Sequence, residues 1–556
     1  MPTELTRPHT SIGTILIKFG VITPEQLKEA LAQCDPEQRS LGPVLISLGF
    51  ATEEKISKAV SLHLGIPFFT TFEGLLDPEA ARGIPEATAR KLLVVPVFQD
   101  KEKLTLGMVN PTDFKALDQI AGLKGVQVQP VMTSLANLFT AIQEVYMPGK
   151  TTARDAGAPG ETSRPAAAAV GSVVDALNDL LEEGMARLAS DIHLEAAETQ
   201  MRARFRVDGM LQDAKTFPKD IEAALVARVK ILAKLDITET RLPQDGHLRF
   251  VYGGRGVDVR VATLPTVHGE KVVLRLLDST KSLRKLKDLG IDAGILARFS
   301  EAIASPNGLI LVTGPTGSGK TTTLYSALSE LNKTDRNIVT LEDPVEYVMD
   351  RVNQMEAFAK IGLTFASGLR AILRQDPNII LVGEIRDLET AEIALQASIT
   401  GHMVFSTLHT NDAVSCVHRL LNMRVEPFMI AAALRGVLAQ RLLRRLCDKC
   451  KRPLQLSGKQ LTELGLPDKA GACFEPVGCR ACFNTGYAGR IAIHEWMPVT
   501  RAVRELIMRK ASVDELRAAV DSEGFKSIRR TAIDKAMAGE TSLEEVLRMA
   551  REQTEA

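Results

Sequence analysis

The sequence predicts a multi-domain α/β protein whose third domain is an open, parallel-rich sheet built around a phosphate-binding loop. Three observations lead there. The octapeptide Gly314-Pro315-Thr316-Gly317-Ser318-Gly319-Lys320-Thr321 follows the apolar run Leu309 to Val312 and leads into a stretch where Leu324, Ala327, Leu328 and Leu331 share one helix face. Three further apolar runs, at 338–341, 379–382 and 403–405, end in polar clusters, as parallel strands do when their carboxyl ends carry the working groups. At 556 residues the chain is too long for one core, so three or four domains are expected.

Composition narrows the functional classes. Basic and acidic residues balance at 68 each, so no excess charge argues for a nucleic-acid partner. The opening residues lack a charged-then-apolar leader, and no run of about 18 apolar residues occurs, which makes a cytosolic location the expectation. Seven cysteines in that setting read as metal ligands or core thiols rather than disulfides.

The first domain spans 1–146 and opens with an internal repeat at an offset of 29 residues, pairing Gly13 with Gly42, Leu16 with Leu45, Gly20 with Gly49, Thr23 with Thr52 and Ala30 with Ala59. Each copy reads as a short apolar helix, a glycine stop, a threonine cap and a second helix. Thr23, Pro24 and Gln26 supply the cap, the first-turn proline and the capping-box partner. Two such hairpins can bury each other's faces. From 66 to 146 the pattern becomes a small α/β unit, with strands expected at 92–95 and 104–109. Residues 147–170 contain almost nothing large enough to pack and read as a flexible linker. A second domain follows at 171–290, with strands near 201–207 and 257–277. The third domain covers 291–500, and a helical tail covers 501–556, with capping boxes expected at Ser512 with Glu515 and at Ser542 with Glu545.

Glycines at 314, 317 and 319 let backbone N–H groups turn toward the β- and γ-phosphates of a nucleotide, with the positive end of a helix behind them. The nucleotide-binding residues are thus Gly314, Pro315, Thr316, Gly317, Ser318, Gly319, Lys320, Thr321 and Thr322. Lys320 would reach the terminal phosphates, and the Thr321 hydroxyl would hold Mg²⁺. Phosphoanhydride hydrolysis also needs a carboxylate that aligns water and donors that sense the γ-phosphate. The clusters Glu342 to Glu346, Gly383 to Asp387 and Ser406 to Thr410 offer both. Taken singly, each has a plainer reading: a carboxylate after a strand is often a helix cap, and His402 and His409 fit as structural histidines.

Cys447-Asp448-Lys449-Cys450 and Cys479-Arg480-Ala481-Cys482 form two Cys-x-x-Cys knuckles separated by 28 residues. A loop folding back at that spacing presents four thiolates tetrahedrally to a structural zinc ion, with reduced or redox-active thiols as the alternative. Cys34, Cys416 and Cys473 read as spare thiols.

The phosphate loop, Leu341 to Tyr347, Leu373 to Pro377, Val382 to Asp387 and Gly401 to Asn411 together closely resemble the secretion ATPases, more narrowly the type II secretion and type IV pilus assembly ATPases. The resemblance implies a RecA-like ATPase core preceded by a PAS-like α+β domain. It further implies a homohexamer that hydrolyses ATP and pushes on an inner-membrane platform protein and associated assembly proteins, with indirect membrane contact, to extend a pilus or pseudopilus. On that basis Glu346, in preference to Glu342, matches the water-activating glutamate, Glu384 the Walker B glutamate, and His402 and His409 the His-box pair. Segments 189–195, 204–209, 241–246 and 258–261 resemble the family's second domain, which implies γ-phosphate-sensing roles for Arg260 and Arg275. A solvated strand-edge charge is the plainer reading of either. Relatives commonly carry arginine after Pro243-Gln244-Asp245-Gly246; this chain has His247, whose neutral imidazole does not replace a guanidinium, and Arg249 is the candidate substitute.

The family's assembly members often carry the tetracysteine element, in agreement with the spacing. The duplicated helices resemble an N-terminal domain that, in some relatives, binds cyclic di-GMP through tandem Arg-Leu-Gly motifs. Here Ser11-Ile12-Gly13 and Ser40-Leu41-Gly42 lack the leading arginines, although Arg39 stands one position earlier; Gln33 is kept and its counterpart is Leu62. Losing those guanidinium groups favours a docking module over cyclic di-GMP sensing. Two rival readings are a nucleic-acid translocase or DNA-uptake motor on the same core, opposed by neutral charge and a single Trp, and a non-hydrolysing regulator, opposed by Lys320, Thr321, Glu346 and Glu384.

Overall fold

The structure, a computed structural model, describes residues 12–33, 41–100, 102–146, 173–277, 284–456 and 473–554. The expected linker at 147–170, and Ser11, Cys34, Arg39 and Ser40, lie outside the described residues. The chain divides into two units, Met1–Asp278 and Ser279–Ala556.

The first unit opens with helices α1 (Ile12–Lys18), α2 (Pro24–Ala32), α3 (Leu41–Ser47) and α4 (Glu53–Leu64). Their core pairs Leu16 with Leu45, Ile22 with Ala51 and Ala30 with Ala59, so the repeat seen in the sequence is also a repeat of buried positions. Thr23 accepts from the Gln26 N–H and the Gln26 side chain returns the bond, completing the capping box, while Thr52 caps α4.

Next come β1 (Phe68–Phe69), α5 (Glu86–Leu92), β2 (Val94–Asp100), β3 (Lys103–Met108), α6 (Phe114–Lys124), β4 (Gln127–Thr133) and α7 (Leu135–Tyr146), with the strands in the order β1-β4-β3-β2. Helix α8 (Val173–Ala186) then leads to β5 (Asp191–Ala196), β6 (Gln200–Val207), β7 (Met210–Pro218), α9 (Glu222–Leu232), β8 (Gln244–Tyr252), β9 (Arg255–Thr266) and β10 (Gly269–Leu277). These six strands form an antiparallel sheet in the order β7-β6-β5-β10-β9-β8. The run expected as strand over 257–277 is a hairpin, turning at Val267-His268 before Gly269. One face of the sheet buries Phe205, Val259 and Leu274 with Leu180 of α8 and Leu225 of α9. Phe72, Val95, Val131 and Ile142 join that same cluster, so residues on both sides of 147–172 share one core.

The second unit is organised by α10 (Ala293–Ile303), β11 (Gly308–Thr313), α11 (Lys320–Leu331), β12 (Ile338–Glu342), β13 (Val352–Glu356), α12 (Phe365–Ile372), β14 (Ile379–Val382), α13 (Leu388–Ile399), β15 (Met403–Leu408), α14 (Ala413–Asn422), α15 (Pro427–Ala433), β16 (Leu434–Leu446), β17 (Arg452–Leu454), β18 (Cys473–Glu475) and β19 (Tyr487–Pro498). Seven strands run β13-β12-β14-β15-β11-β16-β19, with every neighbouring pair parallel except β16 with β19. Strands β11, β12, β14 and β15 are buried throughout because apolar clusters cover both faces, as a parallel sheet requires. Parallel alignment puts the ends of β11, β12, β14 and β15 on one edge.

Helices Arg501–Met508, Val513–Ser522, Ile528–Met537 and Leu543–Thr554 complete the unit. The capping box at Ser512 and Glu515 forms as expected. At Ser542 only half of one forms: its Oγ accepts from the Glu545 N–H at 3.3 Å, but the Glu545 carboxylate turns to Arg444 and Arg548, whose guanidinium groups add charge-assisted bonds that the Ser542 amide cannot offer. It accepts from Arg444 N at 3.0 Å, Arg444 Nη2 at 2.7 Å and Arg548 Nη2 at 2.9 Å. Burial opposes its charge, yet Arg548 and Arg444 hold the carboxyl down to about 2. Glu545→Gln should therefore cost about 3 kcal/mol, the scale for breaking a buried ion pair, read as a lower urea midpoint. Because the folded pKa lies below the ordinary 4.5, the wild-type advantage is present above pH 4.5 and should shrink as pH falls toward 2.

Candidate active site and cysteine cluster

The phosphate loop leaves β11 at Thr313 and enters α11 at Lys320. Gly314 and Gly319 have φ of 146° and 89°, and a Cβ at these positions would stand 2.3 Å from Gln440 O and 2.8 Å from Gln440 Nε2. Glycine is required there by both backbone and space. Gln440 of β16 grips the loop, donating to Ser318 O at 2.8 Å and accepting from Thr323 Oγ1 at 2.6 Å. Lys320 Nζ folds onto Gly314 O at 2.8 Å and Pro315 O at 3.1 Å. Burial pushes its ammonium down to about 8, against the pull of Glu384. Thr316, Gly317, Thr321 and Thr322 are exposed, which leaves the rim of the loop and the Thr321 hydroxyl accessible to a phosphate chain and its cation.

The neighbouring strand ends supply the acidic groups. At the end of β12, Glu342 is buried and accepts from Thr340 Oγ1 at 2.7 Å, from Gln354 Nε2 at 3.2 Å and from the Tyr325 hydroxyl, whereas Glu346 is exposed. Just beyond β14, Glu384 pairs with Arg386 and lies 3.5 Å from His409 Nε2. Burial and the nearby Lys320 charge push the His409 imidazole below its ordinary range, while Glu384 pulls it up. Asn411 accepts from Arg441 Nη2 at 2.7 Å, and Thr410 bonds Thr313 at the root of the phosphate loop. The structure thus brings Lys320, Glu384 and His409 together. It does not bring His402 to them: that residue precedes β15, with Nδ1 at 2.9 Å from Ala397 O, at the end of the strand opposite to His409.

Within the first unit, the strand register lines up His247, Arg260, Arg275, Asp191 and Arg206 across the sheet. Arg275 Nε donates to Asp191 at 2.9 Å, and Arg206 lies 3.6 Å from the same carboxylate. His247 stands in this row opposite Arg260. Arg249 instead faces Asp258, with its guanidinium packed over Gly256.

The four knuckle cysteines converge, all their sulfurs lying within 4.8 Å of one another. Cys447 to Cys479 is 3.9 Å, Cys450 to Cys482 is 3.8 Å and Cys479 to Cys482 is 3.7 Å. A tetrahedron with zinc–sulfur bonds of about 2.3 Å has edges of about 3.8 Å, so the donor set fits zinc. Burial opposes ionisation at Cys482, but the N–H groups of Cys479 and Gly486 bring its thiol down to about 6. Of the spare thiols, Cys416 and Cys473 are buried.

Sequence reasoning missed Gln440, Tyr325 and Arg441, whereas Arg386 lies within the Gly383 to Asp387 cluster that it named. The adjacent polar pair Gln440-Arg441, set in a strand that is otherwise mostly apolar, was the available signal.

The family described as "Type II/IV secretion system protein" matches residues 166–548, and the MshEN domain matches 64–152, which is the α/β part rather than the duplicated helices. The chain is 42% identical over 554 residues to "Type IV pilus assembly ATPase PilB" of Myxococcus xanthus (strain DK1622), covering 96% of this chain and 98% of that one. It is 49% identical over 383 residues to "Type II secretion system protein E" of Aeromonas hydrophila, covering 68% and 76%. To "Type II secretion system ATPase E" of Vibrio cholerae it is 41% identical over 494 residues, covering 86% and 98%. Its fold is similar to that of the Legionella pneumophila ATPase DotB, with a TM-score of 0.51 and 23% identity over 68% of this chain and 95% of that one. With the phosphate loop and acidic strand ends in place and matches of this extent, the chain belongs to the type II/IV secretion system protein family, as an ATPase of the secretion ATPase superfamily.

Proposed function

We propose that this protein hydrolyses ATP to ADP and phosphate and, as a cytoplasmic homohexamer at the inner membrane, powers assembly of a type IV pilus through a platform protein. The convergence of Lys320, Glu384 and His409 on the carboxyl edge of a parallel sheet, next to the exposed Glu346, carries this reading. Gly314 to Thr322 would cradle the phosphates, with Lys320 on the terminal groups. Thr321 would hold Mg²⁺ with Glu384 close by, and the bound ion would supply neutralisation of phosphate charge. Glu346 would align and deprotonate water; Glu342 is buried and already accepts from three donors. Arg260 and Arg275 would supply the guanidinium groups that sense the γ-phosphate, with Arg275 exchanging Asp191 for it.

The end-to-end match with a pilus assembly ATPase supports the pilus reading. The higher identity with a type II secretion protein over 68% of the chain favours a secretion pseudopilus as the second reading. Disrupting the gene should abolish surface pili and spare protein secretion; the reverse outcome selects the second reading. The duplicated helices we assign to docking rather than to cyclic di-GMP.

Glu346→Gln should keep ATP binding and lose turnover by about a hundredfold or more, the scale of an acid–base group. Unimpaired turnover removes Glu346 from that role. The cysteine cluster should hold about one zinc per chain by metal analysis of fresh protein. Finding none would leave four reduced thiols.

A further inference from the structure

Tyr325 sits in the middle of α11, buried to 1% exposure, and its hydroxyl reaches a different element from the one it belongs to. It donates to the buried Glu342 carboxylate at the end of β12 and accepts from the Glu346 N–H at 3.3 Å. A phenol has a single proton to give. Since that proton goes to Glu342, the amide of Glu346 must be the donor on the other side, and the two bonds have one consistent direction. Burial and the Glu342 carboxylate push the Tyr325 hydroxyl well above the ordinary phenol range, so it remains protonated. Around it, Thr340 and Gln354 satisfy the other oxygen of Glu342, and Gln354 also holds Tyr347 O and the Met349 N–H. The Tyr325 ring packs edge-on against Tyr347, with centroids 6.0 Å apart.

We propose that Tyr325 is a positioning residue for hydrolysis: its hydroxyl couples the helix that begins with Lys320 and Thr321 to the backbone of Glu346, so that the phosphate loop sets where the water-aligning carboxylate stands. The proposal rests on the assignment of Glu346 as that carboxylate. A displacement of α11 on phosphate binding passes to the Glu346 loop through the Tyr325 hydroxyl, while the ring contact with Tyr347 is one that Tyr325→Phe would keep. Glu342 is the anchor of the device. A buried carboxylate with three donors cannot follow a moving loop, and it fixes the orientation of the phenol.

The test uses the full-length protein. Tyr325→Phe should lower kcat about tenfold, the scale of one lost hydrogen bond to a working group, with KM for ATP unchanged within about twofold. Hydrogen exchange of the 343–349 peptide should accelerate by about tenfold while the phosphate-loop peptides keep their wild-type rates. Thr340→Val, which removes another donor from Glu342 without touching Glu346, should lower the melting temperature and leave kcat in place. In a Glu346→Gln background, Tyr325→Phe should cost less than about twofold more. Unchanged exchange in the 343–349 peptide, a kcat loss in Thr340→Val equal to that in Tyr325→Phe, or full additivity with Glu346→Gln would each overturn the coupling. If Glu346→Gln alone keeps wild-type turnover while the 343–349 peptide still loosens in Tyr325→Phe, the base assignment fails and the strut stands.

Discussion

The packing of the phosphate loop against β16 is the contact on which the catalytic unit depends. No side chain fits at Gly314 or Gly319, because Gln440 occupies the space from both sides of its peptide. The Gln440 amide then bonds the loop at Ser318 and the helix behind it at Thr323. A loop braced in this way presents its backbone N–H groups in a fixed array, and such an array stabilises phosphate charge without having to reorganise first. The polar grip is buried and satisfied at both ends of the amide, so its stabilising bonds are not competed away by water.

Following β16 outward shows how much else is tied to that contact. The strand runs directly into Cys447, and its partner β19 begins five residues after Cys482, so the cysteine cluster closes the far end of the same hairpin. Gln440 is paired with His494 and Ala439 with Glu495. Glu495 is buried and accepts from the Ala413 N–H at 3.1 Å and from the Ile528 N–H at 2.8 Å. Burial drives its carboxyl upward and those two helix N-termini pull it back. Helix α14 starts directly after the His409 segment at Asp412, which binds Arg517 at 2.8 Å. One hairpin therefore sets the phosphate loop, the segment that carries His409 and the C-terminal helices.

What could be read in the sequence was what is encoded locally. Glycine spacing, threonine caps and paired Cys-x-x-Cys knuckles each specify geometry within a few residues, and the loop, the repeat and the cysteine cluster are where those signals place them. The positions that escaped reading act across long separations. Tyr325 looks like one more core residue of an amphipathic helix until the register of β12 brings Glu342 to it. Gln440 is 117 residues from Thr323. His402 and His409 look like neighbours in sequence, but a six-residue strand lies between them and carries them to opposite ends of β15. The hairpin of β9 and β10 was hidden for the converse reason: both arms are apolar on one face, and Pro265 and Gly269, the residues that mark a turn, sit in the paired arms rather than at the turn residues Val267-His268.

Overall neutrality conceals a local imbalance in the first unit. The row His247, Arg260, Arg275, Asp191 and Arg206 gathers three arginines and a histidine with one aspartate, and Arg275 and Arg206 both reach that carboxylate. The register is held by the apolar face beneath, since a slip of one residue would turn Val259 and Leu274 outward. The cations consequently cannot separate by sliding. Like charges fixed along a strand-to-strand row repel, and an anion relieves that repulsion most effectively where a guanidinium is already exposed, as Arg275 is.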